Sequence, residues 1–434
     1  MIRLRRLGVG FGVMMVCLAA APAQDPPKQD PPKSETKDPA PVYVALTGGD
    51  VHTAQGVLKG ATVLFKDAKI HRIGHDLEIP EGAQKHDVTG RLVLPGFVAA
   101  TARGLGFSGG AVQKIADSLD PYQEAIKLAL AAGITTAYVE SGGGVFGERT
   151  EGPTGTSAVI KMSLGDLDRM LVVEPAAVNL SSWLRASASQ RSDMRETLRK
   201  SREMLEKIRD YESRRTAGKL AANESAPSPG SLDPYVRVLR GDIPARITAS
   251  SAEEIATALA LVNEFRFRAV LLDADEAWTM AEEIGRARCL CVIAPRRRRS
   301  ADKRSNRPSG STIEQAAILR KAGVKFAIVP LQERIDTGGM AGRDLQALAL
   351  EAAFAVRGGV DSKTALEAIT ITAAEALGVD ARVGSLEEGK DADVIVLDGD
   401  PLDYRTYVEL TFVNGRLLYD KSKSPHFSHL KRAR

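Results

Sequence analysis

Histidine is nearly missing from this chain: six occur in 434 residues, and none lies between Asp87 and Pro425. Neutral imidazole is the usual nitrogen ligand for zinc-like metals and a common general base near neutrality. Any chemistry in that long middle segment must use other side chains. Cysteine is as scarce. Of three, Cys17 lies in an N-terminal apolar run, and only Cys289 and Cys291 lie beyond it. Two cysteines are not a disulfide framework. In RCLCVIAP they sit two apart, on one face of an expected strand, where they read as core rather than as metal ligands. Aromatics make up 5% of the chain, and none interleaves the basic run Arg296–Gly310. Nothing argues for nucleic acid as a partner.

Long hydrophobic runs are absent apart from Leu7–Ala20, which is short for a bilayer span. It follows Arg3, Arg5 and Arg6 and precedes Ala21-Pro22-Ala23, the order of an export signal with small residues for cleavage. The expectation is a signal peptide over 1–23 and an exported product, periplasmic or secreted, with no transmembrane anchor once the signal is cleaved. Removing 1–23 leaves 56 Lys and Arg against 55 Asp and Glu, near neutrality. Residues 24–41 are Pro- and Lys-rich, repeat QDPPK, and suit an extended linker.

What the chain does have is a patterned body, with 44% hydrophobic residues to fill a core. From Val42 to Leu94, short β-branched runs punctuated by glycine read as strands. The region from Val379 to Ser422 has the same texture, with Asn414-Gly415 as a hairpin turn. Both ends are expected to build one β-domain, 42–94 plus 379–422. Between them, 95–378 alternates strand-like runs (GITTAYVE, ARITA, FRAVLLD, CLCVIAP, VKFAIVP) with helical patterns such as Ala252–Phe265 and Leu345–Arg357. Alternation of this kind implies a parallel sheet. The expected fold class is α/β: a (β/α)8 barrel with a small β-sandwich from both termini and a basic tail at 423–434. Ser192–Ser213 reads as a charged, solvent-exposed helical insertion. The run Arg296–Arg299 reads as a solvated basic loop, with a bound anion as the alternative.

The segment GSLEEGKDADVIVLD at Gly384–Asp398, followed by a DPL segment and a VNG turn, resembles the closing segment of the amidohydrolase superfamily. Ala365–Gly378 resembles the helix ahead of it, Leu94-Pro95-Gly96-Phe97 the strand that opens the barrel, and Gly133–Thr136 the strand that follows. The insertion helix, Pro244–Ile255 and Phe267–Ile284 resemble the imidazolonepropionase-like branch. The resemblance implies a barrel that hydrolyses C–N bonds other than peptide bonds. It also implies zinc or another divalent metal that polarises water, and an aspartate that takes the proton.

The positions this resemblance assigns to metal and base hold other residues. Where an Asp and then His-x-His are implied, the chain has Ala99 and Thr101-Ala102-Arg103. After the P-x-R-[IV] strand it has Thr248-Ala249-Ser250. The next position falls at Leu272 or Asp273, and the base position at Pro330-Leu331. Thr101, Arg103, Thr248, Ser250 and Leu331 make a degenerate site, so no metal cofactor is expected. Three readings follow. One is a catalytically inactive protein binding a small molecule, such as an anion held by Arg103, or a protein partner. The second is a metal-independent hydrolase using Glu140, Asp273 or Asp275 at strand ends. The third is a structural or assembly protein that uses the linker and charged helix as contacts.

Overall fold

The computed structural model describes residues 41–431, apart from 109–111, 113, 142–155, 185–186, 222, 305 and 336–343. The expected signal peptide and the linker to residue 40 lie outside the described residues. On the N-terminal side, β1 (Tyr43–Thr53), β2 (Gly56–Lys66), β3 (Lys69–Gly74), β4 (Gln84–Asp87) and β5 (Leu92–Pro95) form. The middle supplies β6 (Phe97–Ala102), β7 (Ile134–Glu140), β8 (Ser157–Lys161), β9 (Leu171–Val173) and β10 (Val178–Asn179). It continues with β11 (Ala245–Thr248), β12 (Ala269–Leu272), β13 (Leu290–Ile293) and β14 (Phe326–Ile328). The C-terminal side adds β15 (Val394–Leu397), β16 (Val408–Val413) and β17 (Arg416–Asp420).

The two ends share one eight-stranded sheet, in the order β17-β16-β15-β5-β1-β2-β3 with β4 beside β1. β5 pairs in parallel with β1 and antiparallel with β15, so it joins the termini edge to edge. The separate ladders of a sandwich are not present among the described strands. Phe65 and Phe412 meet edge to face at 5.6 Å in this unit's own apolar core. The hairpin between β16 and β17 turns on Asn414 (φ 50°) and Gly415 (φ 73°), where both residues are left-handed, as a type I′ turn requires.

The middle strands form two sheets. β10 to β14 are all parallel, whereas in the second sheet β6 and β7 are parallel and β8 and β9 return antiparallel. That antiparallel return, together with a β10 of two residues, keeps the ladders from closing into one continuous barrel. Single backbone bonds span the seams. Ala176 N–H donates to Ser157 O at 2.8 Å on one side. On the other, Ile328 N–H donates to Ala368 O and Val98 N–H to Ile369 O, at 3.0 and 2.9 Å.

Helices pack apolar faces on these strands. The helix Ala252–Phe265 starts at a capping box of Ser251 and Glu254 and buries Ile255, Ala258, Leu259 and Val262. The charged insertion is a longer helix than expected, Ala188–Thr216, and it does not stand free in solvent. It buries Leu198, Leu205 and Ile208, and Arg195 and Arg202 hold Glu264 and cover Trp183 and Phe265. Cys289 and Cys291 are free and buried. Burial pushes the Cys289 thiol up to about 12, so it stays protonated and inert. Among the described residues no helix is long and apolar enough to cross a membrane.

One buried cation fastens the β-unit to the middle strands. Lys161, at the end of β8, is fully buried and donates to Asp391 at 2.6 Å and Asn414 at 2.9 Å, with Asp393 at 2.8 Å. Asp391 also takes Lys69 and Arg382. Burial pushes the Asp391 carboxyl up, but these three cations outweigh it and hold it below the usual range. Its contribution is therefore present above the unfolded value and is lost as pH falls through the lower folded value. Replacing Lys161 with Met leaves the Asp393 charge buried without its cation. We expect a loss of about 3–5 kcal/mol in urea unfolding at pH 7; a loss under about 1 kcal/mol would show that the cluster does not hold the units together.

Candidate functional site

Parallel barrel-type sheets place function at the strand C-terminal ends. Here those ends carry a set of arginines and carboxylates. The central cation is Arg246 in β11. It is fully buried, lies over the Tyr138 ring with 3.9 Å from its guanidinium carbon to the centroid, and donates from Nη2 to Ala100 O at 3.0 Å and Thr101 Oγ1 at 2.8 Å. Its Nε and Nη1 are buried with no hydrogen-bond partner among the described residues. Burial, against the pull of Arg246, raises the Tyr138 phenol well above its usual range. Tyr138 donates from its hydroxyl to Glu140, which also accepts from Asn179 Nδ2 at 2.6 Å. Glu140 therefore ends β7 as a held carboxylate.

The strand-end residues marked in the sequence do not converge on one point. Thr101 is tied to Arg246. Arg103 points outward, with its side chain 77% exposed, and pairs with Glu333 at 3.3 Å. The expectation that Arg103 lies inside a pocket is thus corrected: the strand has left the barrel interior by that residue, and the interior cation is Arg246. Thr248 accepts from the Ser181 hydroxyl at 3.0 Å. Ser250 donates to Glu254 and accepts from Arg299, as part of the cap of the following helix. Leu331 lines a cleft farther round the rim.

Asp273 and Asp275 both lie against Arg297, Asp273 in direct contact and Asp275 at 3.9 Å. Burial raises Asp275 to about 6, moderated by Arg297 and reinforced by Asp273. Glu333 is also raised by burial, against Arg103 and with Asp273 adding to the rise, while Arg246 and Arg297 pull it down. One carboxylate thus feels three arginines, one inside β11 and two in the loops after β6 and β13. Sequence reasoning passed over Arg246 and Glu333; the only signal was the arginine of the P-x-R-[IV] strand itself.

The basic loop is largely tied down rather than solvated. Arg296 pairs with the fully buried Glu351 at 2.6 Å, and Arg299 with Glu276 at 3.2 Å. Glu276 in turn accepts from the backbone of Ala252 and Gly310. The fold resemblance implies a divalent metal at this mouth, and the described donors there do not suit one. The Thr101 hydroxyl is neutral and already accepts from a permanently charged guanidinium. A dication bound on that oxygen, about 4 Å from the guanidinium, meets a repulsion of about 8 kcal/mol at an effective dielectric of about 20. The six histidines all lie outside these strands: His52, His71, His75 and His86 in or beside the terminal sheet, and His426 and His429 in the tail. Among the described residues no group of three or more His, Cys, Asp or Glu is arranged to hold a metal.

Comparison with known proteins places this geometry. Residues 255–431 match the model of the amidohydrolase family. A stretch of 65 residues is 43% identical to the imidazolonepropionase of Thermoplasma volcanium; it covers 14% of this chain and only 16% of that relative's length. The fold is similar to a solved amidohydrolase from Thermotoga maritima MSB8, with TM-score 0.65 and 25% identity over 87% of this chain and all of that one. Phenylurea hydrolase B (16% identical, 90% of this chain, all of that one) and molinate hydrolase (17%, 91% and 98%) share the fold alone, each at TM-score 0.53. The strands described above are therefore those of a TIM-barrel fold with its accessory β-unit, and these matches together support the amidohydrolase superfamily, with a partial likeness to imidazolonepropionase.

Proposed function

We propose that this chain is an exported amidohydrolase-fold protein that binds a small ligand at the barrel mouth and no longer performs metal-dependent hydrolysis. The observation that carries the reading is Arg246, a buried guanidinium bonded to Thr101 where the resemblance implies a metal ligand. A fixed positive charge in that place opposes a metal and favours an anionic or acceptor-rich ligand. Protein purified under zinc-replete conditions should carry well under one zinc per chain by elemental analysis and show no turnover on cyclic amides. About one tightly bound zinc per chain, together with hydrolysis that a chelator abolishes, would sink the proposal.

One observation favours a second reading, metal-independent hydrolysis. Asp275, held near 6 beside Asp273, is a carboxyl able to exchange a proton close to neutrality. Turnover on an amide and ester panel that disappears in Asp275→Asn or Glu140→Gln would support it, and unchanged rates would remove it.

The same raised value has a stability consequence. The folded Asp275 carboxyl titrates near 6, above its unfolded value near 3.8. Between these values the folded chain binds the extra proton, so stability falls as pH rises from about 4 to 6 and stays reduced above. Asn cannot ionise. Asp275→Asn should therefore melt higher than the parent at pH 8, with the gap closing as pH falls from 6 toward 4. A gap that does not change with pH would show that Asp275 does not titrate in this window.

A further inference from the structure

We propose that the cleft between the loop after β13 and the loop after β14 binds a small organic anion with a flat apolar body. This names the ligand class of the binding reading above and rests on it. The cleft has a volume of about 450 Å³, within the range of small-ligand sites. It opens at the C-terminal ends of two adjacent strands, where barrels of this kind often hold anions.

Its walls are of two kinds. Ile313, Leu331 and Phe354 form an apolar side, and Ile313 is 40% exposed, one of few large apolar side chains left open to water. Covering it with an apolar ligand body is favourable. Arg297 and Arg298 line the same cleft. Arg298 is exposed and has no ion-pair or hydrogen-bond partner among the described residues. Arg296 is held over the Phe354 ring at 5.0 Å by its pair with Glu351, so the cationic and apolar walls meet in one rigid corner. Arg297 is held in the same way by Asp273 and Asp275. Arg296 and Arg297 are thus held before a ligand arrives, which lowers the entropic cost of binding against them. A carboxylate, sulfonate or phosphate on Arg298, with its ring against Ile313 and Leu331, uses both walls at once.

The carboxylates behind the arginines add a pH dependence. Asp275 faces Arg297, Asp273, Arg299 and Glu276. Its protonation removes a negative charge next to Arg297, so an anion of constant charge binds more tightly as pH falls through about 6.

Titration calorimetry of the full chain with naphthalene-2-sulfonate tests this, since that probe keeps its charge at all relevant pH. We expect one site per chain, affinity several-fold higher at pH 5.5 than at pH 8, and weakening at high salt. Arg298→Ala and Ile313→Asp should each weaken binding about tenfold, while Arg304→Ala, an exposed arginine of the same loop outside the cleft, should leave it unchanged. Naphthalene-2-methanol, which lacks the charge, should bind far more weakly. Unchanged thermal midpoints in these surface variants show that the fold is intact. Absence of binding, or binding indifferent to Arg298 and Ile313, overturns the cleft proposal and leaves the metal-free reading standing. Chelator-sensitive turnover with the cleft intact overturns that reading instead.

Discussion

The pairing of Lys161 with Asp391 and Asp393 is the contact on which the rest of the molecule depends. A fully buried ammonium is tolerable only with its charge matched and its protons bonded. The match here comes from the chain's closing segment, more than two hundred residues away. Asp393 also accepts from the Asn414 backbone and the Thr136 hydroxyl, and its own carbonyl takes the Gly96 N–H just ahead of β6. The same short sequence thus fixes the hairpin, the first middle strand and the second. Register along β7 sets the distance to function: Thr136 lies opposite Lys161, and Glu140 opposite Ser157 at the other end. The clamp and the mouth stand at opposite ends of one strand.

At the mouth the balance is of another kind. Arg103, Arg246, Arg297 and Arg299 meet Glu333, Asp273, Asp275 and Glu276, drawn from β11 and from the loops after β6, β12, β13 and β14. Such a network fixes loop positions without needing a metal to gather them. It also leaves uneven charge: the buried edge of Arg246 and the open side chain of Arg298 carry positive charge that no described carboxylate fully answers. That surplus marks the chemical character of the described residues at this end of the protein.

Much of the scaffold was legible in the sequence. The Asn414-Gly415 turn needs two left-handed residues and names them. The helix Ala252–Phe265 is bounded by its own capping box and falls where its periodicity sets it. The closing segment pointed to the right family because its acidic residues do structural work that a fold cannot omit. Less legible were features made by distant partners. The burial of Arg246 depends on Tyr138 and on Thr101, 145 residues away in the chain. An arginine in a strand otherwise reads as surface, and Arg103, which had the more suggestive position, is the one that faces solvent. The antiparallel turn-back through β8 and β9 was missed for a similar reason. Its strands are short, and Lys161 at the end of β8 finds its partners in the closing segment, far from any local pattern.

The separation of clamp from mouth lets the family signature and the residues of the mouth answer to different demands. Thr101, Thr248, Ser250 and Leu331 carry no charge of their own, and the three hydroxyls are hydrogen-bonded, so none of the four adds a buried charge to the fold. Changing Asp391 or Asp393 would strand Lys161 in the interior. The signature therefore reports on the energy of the scaffold, and the chemistry has to be read from the rim, where the groups present are guanidinium, carboxyl and exposed aliphatic side chains. Those groups are suited to holding an anion against an apolar wall.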